Sequence, residues 1–104
     1  MRAMLFPAVG EAVLTDLPAP TPLPGEARLR VASAGLCTGD LYIFQGKNPY
    51  ATFPRVGCHE LSGVVESLGE GAAGVAIGDR VVVEPFIGCG RCYPCRVGKP
   101  NCCA

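Results

Sequence analysis

Seven cysteines and a single histidine carry most of the reactive chemistry in this 104-residue sequence. Five of the cysteines, Cys89, Cys92, Cys95, Cys102 and Cys103, fall within the last sixteen positions. Cys-x-x-Cys steps let a tight turn aim two sulfurs inward, and zinc favours four soft ligands in a tetrahedron, so this spacing reads as a closed structural zinc site. Gly88, Gly90 and Gly98 supply unusual backbone angles there, and Pro94 and Pro100 stiffen the loop. Four thiolates around one divalent cation leave two net negative charges, which Arg91, Arg96 and Lys99 can offset. A redox pair would open a helix, and three evenly spaced cysteines broken by glycine do not resemble one. A ferredoxin-type cluster shares the opening steps, but the long final gap and the lack of a second motif weigh against it. Composition leaves the fourth ligand open between Cys102 and Cys103, and adjacent residues seldom both face one ion.

A second group lies in the first half: Cys37, Asp40, and the pair His59-Glu60. Cysteine plus histidine gives two ligands, whereas a catalytic zinc normally takes three and keeps one position open. Glu60, Cys58 or a residue outside the chain could supply the third, with Asp40 accepting the other imidazole N–H and fixing its tautomer. The residues alone fit equally well a buried cysteine, a solvated aspartate and a turn histidine.

The elements that must position these groups are short. Met1 to Phe6 and Glu11 to Leu17 read as strands, and the four prolines between Pro18 and Gly25 force a loop. Glu26 to Ala34 alternates, with Ala27, Leu29 and Val31 expected on a buried face and Glu26, Arg28 and Arg30 outside. Thr38 to Phe44 reads as a short helical turn, and Leu61 to Leu68 and Arg80 to Glu84 as further strands. Short strands joined by Gly and Pro turns predict a small, mostly β barrel or sandwich over 1–87. The lobe 88–104 has too few large apolar groups for a core of its own and needs a metal staple.

Nine Lys and Arg balance nine Asp and Glu, and the arginines are dispersed, so no basic stripe exists for nucleic acid. Mean hydropathy is +0.32, yet no run reaches the roughly 18 to 20 apolar residues of a membrane span. With no signal-peptide pattern, the expected compartment is the cytoplasm. Two motifs mislead. Gly69-Glu70-Gly71-Ala72-Ala73-Gly74 fits G-x-G-x-x-G, but Val75-Ala76-Ile77 runs straight into Gly78-Asp79 with no helix to receive a pyrophosphate. His59-Glu60-Leu61-Ser62-Gly63 lacks the second histidine of a metalloprotease.

Taken together, the segments resemble the N-terminal catalytic domain of the zinc-containing medium-chain alcohol and polyol dehydrogenases. Ala34-Gly35-Leu36-Cys37-Thr38-Gly39-Asp40 is similar to their first ligand segment and Gly57-Cys58-His59-Glu60-Leu61-Ser62-Gly63 to their histidine segment. Gly78-Asp79-Arg80-Val81 looks like a family turn, and Cys89, Cys92, Cys95 and Cys103 match the structural zinc lobe, which selects Cys103 over Cys102. The wording from Asn48 to Val56, with Glu84-Pro85, is most similar to members that oxidise polyols or sugar acids.

The resemblance implies a GroES-like β-barrel domain followed by a Rossmann domain for NAD or NADP, with the 104 residues as the front portion. It implies Cys37 and His59 as catalytic-zinc ligands, Glu60 as a carboxylate able to approach the metal, and Asp40 as the partner of His59. A small alcohol or polyol would be the substrate of the full-length enzyme, and a homo-oligomer its usual state. Without a nicotinamide domain, the chain alone is expected to be inactive; the competing reading is a zinc-binding structural module. Three departures bear on the site. Gly39 replaces a hydroxyl residue, Tyr42 stands where a histidine often completes a proton relay, and Cys58 stands where glycine usually precedes the histidine.

Overall fold

A computed structural model describes residues 1–103. Two three-stranded antiparallel sheets form the β-rich fold. In the first, β1 (Arg2–Phe6) lies between β2 (Val13–Asp16) and β4 (Arg55–Val56). In the second, β5 (Glu60–Leu68) lies between β3 (Ala27–Gly35) and β6 (Arg80–Val82). The helix α1 (Thr38–Phe44) follows β3, and the cysteine-rich end holds a single turn, α2 (Tyr93–Arg96), and a 3₁₀ turn over Pro100–Cys102.

The strands fall where alternation and turn residues put them, within one or two residues. β4 is the exception: two residues are too short to show a period, and pairing with Leu5 and Phe6 of β1 makes it a strand. β3 corrects the expected buried face. The register shift between Arg28 and Leu29 resets the alternation, so Ala27, expected inside, is exposed and Arg28, expected outside, is half-buried. Leu29 remains half-buried, whereas Val31 is 53% exposed.

The buried apolar side chains are Phe6, Ile43 and Val65. Phe6 meets Phe44 edge to face at 6.0 Å between centroids, which docks α1 on the first sheet. The chain is flat, 38 × 36 × 20 Å. Its Cα radius of gyration, 15.5 Å, exceeds the roughly 13 Å of a compact domain of this length. No helix among the described residues is long and apolar enough to cross a membrane.

The segment Gly69 to Gly74 is a turn leading from β5 toward β6. A Cβ on Gly69 would run into the Leu23 carbonyl, and Gly71 and Gly74 hold φ of +71° and +83°. All three glycines therefore serve chain packing and reversal.

Candidate metal centres

The cysteine-rich end places the sulfurs of Cys89, Cys92, Cys95 and Cys103 within 4.8 Å of one another. Cys92 immediately precedes α2, and Cys95 sits one turn later on it. The 3₁₀ turn then delivers Cys103, while Cys102 is exposed and lies outside the cluster. The Cys92 and Cys103 sulfurs are 3.9 Å apart. Tetrahedral bonds of about 2.3 Å place two sulfurs about 3.8 Å apart, so the donor set fits zinc as it stands.

Proton sharing within the cluster is uneven. The backbone N–H groups of Cys92 and Arg91, joined by neighbouring thiols, hold the Cys89 thiol down at about 6. Cys95 is pushed up to about 11, first by its hydrogen bond with the Cys92 side chain, against the pull of the Gly90 N–H. A metal is bound by thiolates, so zinc entering this cluster would displace the protons that the sulfurs still hold.

The second centre joins two segments distant in sequence. The Cys37 side chain accepts a hydrogen bond from Gly39 N–H at 3.2 Å, and the Asp40 carboxylate accepts one from Cys37 N–H at 3.1 Å. This is a capping box with cysteine in the serine role, and it starts α1. The Cys-x-x-Asp spacing is its sequence signal.

Across the site, Asp40 also accepts Cys58 N–H at 2.9 Å. The carboxylate is 3% exposed, and burial pushes its pKa up. The N–H groups of Cys58 and Cys37, the Cys37 side chain and the nearby His59 outweigh burial and hold it below the ordinary value. Asp40 thus clips the two segments together by their backbones, one oxygen to each, in place of the expected bond from the imidazole.

His59 is exposed and faces Cys37, with Nε2 to Sγ at 3.5 Å. Bonds of about 2.3 Å to sulfur and about 2.0 Å to nitrogen at a tetrahedral angle give about the same separation. One ligand atom each from Cys37, Asp40 and His59 lies within 4.8 Å of the others. Glu60 and Cys58, the sequence candidates for a third ligand, are outside this cluster. A Glu60 oxygen lies over Gly35, 3.2 Å from where a Cβ would stand, and the Cys58 thiol donates to the Gly35 carbonyl at 3.0 Å. Burial, then the charges of Asp40, Cys37 and Glu60, push the Cys58 thiol up.

Glycines let these parts approach. A Cβ on Gly57 would stand 2.8 Å from the Phe6 ring and 3.4 Å from an Asp40 oxygen. One on Gly39 would touch the Cys37 sulfur at 3.2 Å and His59 Cε1 at 3.8 Å, so a side chain there would border the cluster directly. Thr38, one residue away, lines a separate apolar cleft of about 520 Å³ with Cys37, Met4 and Phe44. A cleft of about 600 Å³ opens beside His59 and Glu60, walled by Ser33, Ser62, Val82 and Phe86.

The profile of the family described as "Alcohol dehydrogenase GroES-like domain" matches residues 23–104. Starvation-sensing protein RspB of Escherichia coli K12 is 43% identical over 103 residues, covering 99% of this chain and 30% of that protein. D-altritol 5-dehydrogenase of Agrobacterium fabrum is 38% identical over 104 residues, covering all of this chain and 31% of that protein. The crystal structure of a short chain alcohol dehydrogenase (rspB) from E. coli CFT073, complexed with NADH, superposes with a TM-score of 0.90 at 41% identity. The match covers 99% of this chain and 30% of that one. The chain therefore spans about a third of the length of the relatives it matches.

Proposed function

This chain belongs to the alcohol dehydrogenase GroES-like domain family, and from that premise we infer that it supplies the metal-binding part of an alcohol-oxidising site. The observation that carries this reading is the Cys37–His59 separation of 3.5 Å, already that of two ligands on one tetrahedral ion. Cys37 and His59 are the ligands, and the Asp40 carboxylate keeps their segments in register. Glu60 is a carboxylate able to swing toward the site from its place over Gly35. When bound, zinc polarises an alcohol oxygen and lowers its pKa, and a nicotinamide cofactor accepts the hydride. The product is the carbonyl compound, with one proton released.

The 600 Å³ cleft beside His59 is the size of a small-molecule site. Its serines and carboxylate suit hydroxyl groups, and its valine and phenylalanine walls suit the carbon chain, which supports a secondary alcohol or polyol as substrate. Gly39 brings no hydroxyl to the cluster, so the alcohol proton leaves through another group or through water. The segment 88–104 forms a separate structural zinc lobe beside the catalytic part, 1–87. A soluble enzyme of the cytoplasm, acting as a homo-oligomer, is the setting consistent with this reading.

The test is a chimera joining this chain to the remaining two thirds of RspB, assayed for NAD- or NADP-dependent oxidation of secondary alcohols and polyols. Turnover should appear and fall to background with Cys37→Ser or His59→Ala. A folded, zinc-loaded, cofactor-binding chimera without turnover, or one indifferent to both substitutions, would contradict the assignment.

A further inference from the structure

We propose that Cys58 is a positioning residue for the Cys37–His59 pair, holding the histidine segment against the end of β3 through a left-handed backbone and a donated thiol. Its φ of +75° is the one positive value at a non-glycine residue among the described residues. A residue with a Cβ is strained in that conformation, and such strain persists where the surroundings over-determine it.

Three hydrogen bonds do so here. Cys58 N–H donates to one Asp40 oxygen at 2.9 Å, and the other Asp40 oxygen takes Cys37 N–H at 3.1 Å. The Cys58 thiol donates to the Gly35 carbonyl at 3.0 Å, two residues before Cys37. Gly35, Cys37, Asp40 and Cys58 form a closed ring of contacts, and His59 is the next residue along. Because the Cys58 sulfur lies outside the Cys37, Asp40 and His59 cluster, it acts through these neighbours. Glycine at 58 would take the same φ without strain, but it has no group for the Gly35 carbonyl and moves freely between both signs of φ. Serine would keep a donor.

The proposal rests on reading Cys37 and His59 as a metal-binding pair, and one arm of its test is independent of that reading. Wild type, Cys58→Gly and Cys58→Ser are each loaded with one equivalent of zinc for the four-cysteine lobe. In the metal-independent arm, NMR measures the cross-relaxation between the His59 ring and the Gly39 Cα hydrogens, which face each other in the structure. His59 is the sole histidine, so its ring signals are unique. The contact should be present in wild type and Cys58→Ser and lost in Cys58→Gly, whose melting temperature should hold or rise.

In the second arm, further zinc is titrated against the His59 signals. Affinity should drop about tenfold in Cys58→Gly and return in Cys58→Ser. A Cys58→Gly variant that keeps the ring contact overturns the proposal. So does one that loses contact and melting temperature together without recovery in Cys58→Ser, since that is a merely structural role. A histidine that ignores zinc in all three proteins overturns the ligand reading, while the first arm still decides the role of Cys58.

Discussion

Replacing Asp40 tests whether one carboxylate holds the two ligand segments together. Asp40 is 3% exposed, and each of its oxygens accepts one backbone N–H, at 2.9 and 3.1 Å. Hydrogen bonds to a charged acceptor contribute about 1.5–3 kcal/mol each, and a buried donor left alone costs about 1–3 kcal/mol. Asp40→Asn keeps the shape but turns an NH₂ group toward one of the two donors. It therefore loses one bond and strands one N–H, for a cost of about 2 kcal/mol. Asp40→Ala strands both, for about 4 kcal/mol. A chain of this size has roughly 5–15 kcal/mol of total stability, so the alanine variant should lose about a quarter of it or more.

The assay is urea denaturation followed by circular dichroism at saturating zinc, so that the cysteine lobe contributes equally to every variant. Asp79 is the comparator. It is exposed and accepts a single turn N–H, from Ala76 at 2.8 Å, and Asp79→Asn should cost less than about 1 kcal/mol. If Asp40→Asn falls within about 0.5 kcal/mol of wild type, or costs no more than Asp79→Asn, the clip does not exist in solution.

Gly57→Ala should destabilise the chain by about 1–3 kcal/mol in the same denaturation assay, because the new methyl meets Phe6 at 2.8 Å and crowds Asp40. A neutral result would mean that the Phe6 ring has room to withdraw. Calorimetric titration of the 104-residue chain with NAD and NADP should give no heat of binding, because the Gly69 to Gly74 turn offers no helix N-terminus to a pyrophosphate. Micromolar binding would refute the reading of that segment as a turn.

Much of the fold was legible because short strands bounded by glycine and proline leave few alternatives, and the helix after Cys37 was set by a seven-residue window before Gln45-Gly46. What escaped was long-range or conformational. β4 exists through its partner β1, and Ala27 and Arg28 exchange exposure at a bulge that alternation cannot foresee. The four-cysteine cluster was readable because its ligands lie within fifteen residues and a turn geometry joins them. At the second centre the residue types were readable, but the hydrogen bonds were not. Asp40 serves one backbone donor in its own segment and one eighteen residues further on, and Glu60 points over Gly35. The left-handed backbone at Cys58 had one sequence signal, the glycine usual at that place in the resembling family.

The chain carries two unlike centres: a closed set of four sulfurs and an open pair, Cys37 and His59, clipped by Asp40. Native mass spectrometry of zinc-reconstituted chain, after dialysis against a mild chelator, addresses both at once. The predicted result is one retained zinc per chain, lost in Cys92→Ser and kept in Cys102→Ser, with the open pair releasing its metal to the chelator. A chain that emerges metal-free with residues 88–103 still ordered, or that keeps its zinc in Cys92→Ser, would contradict the assignment.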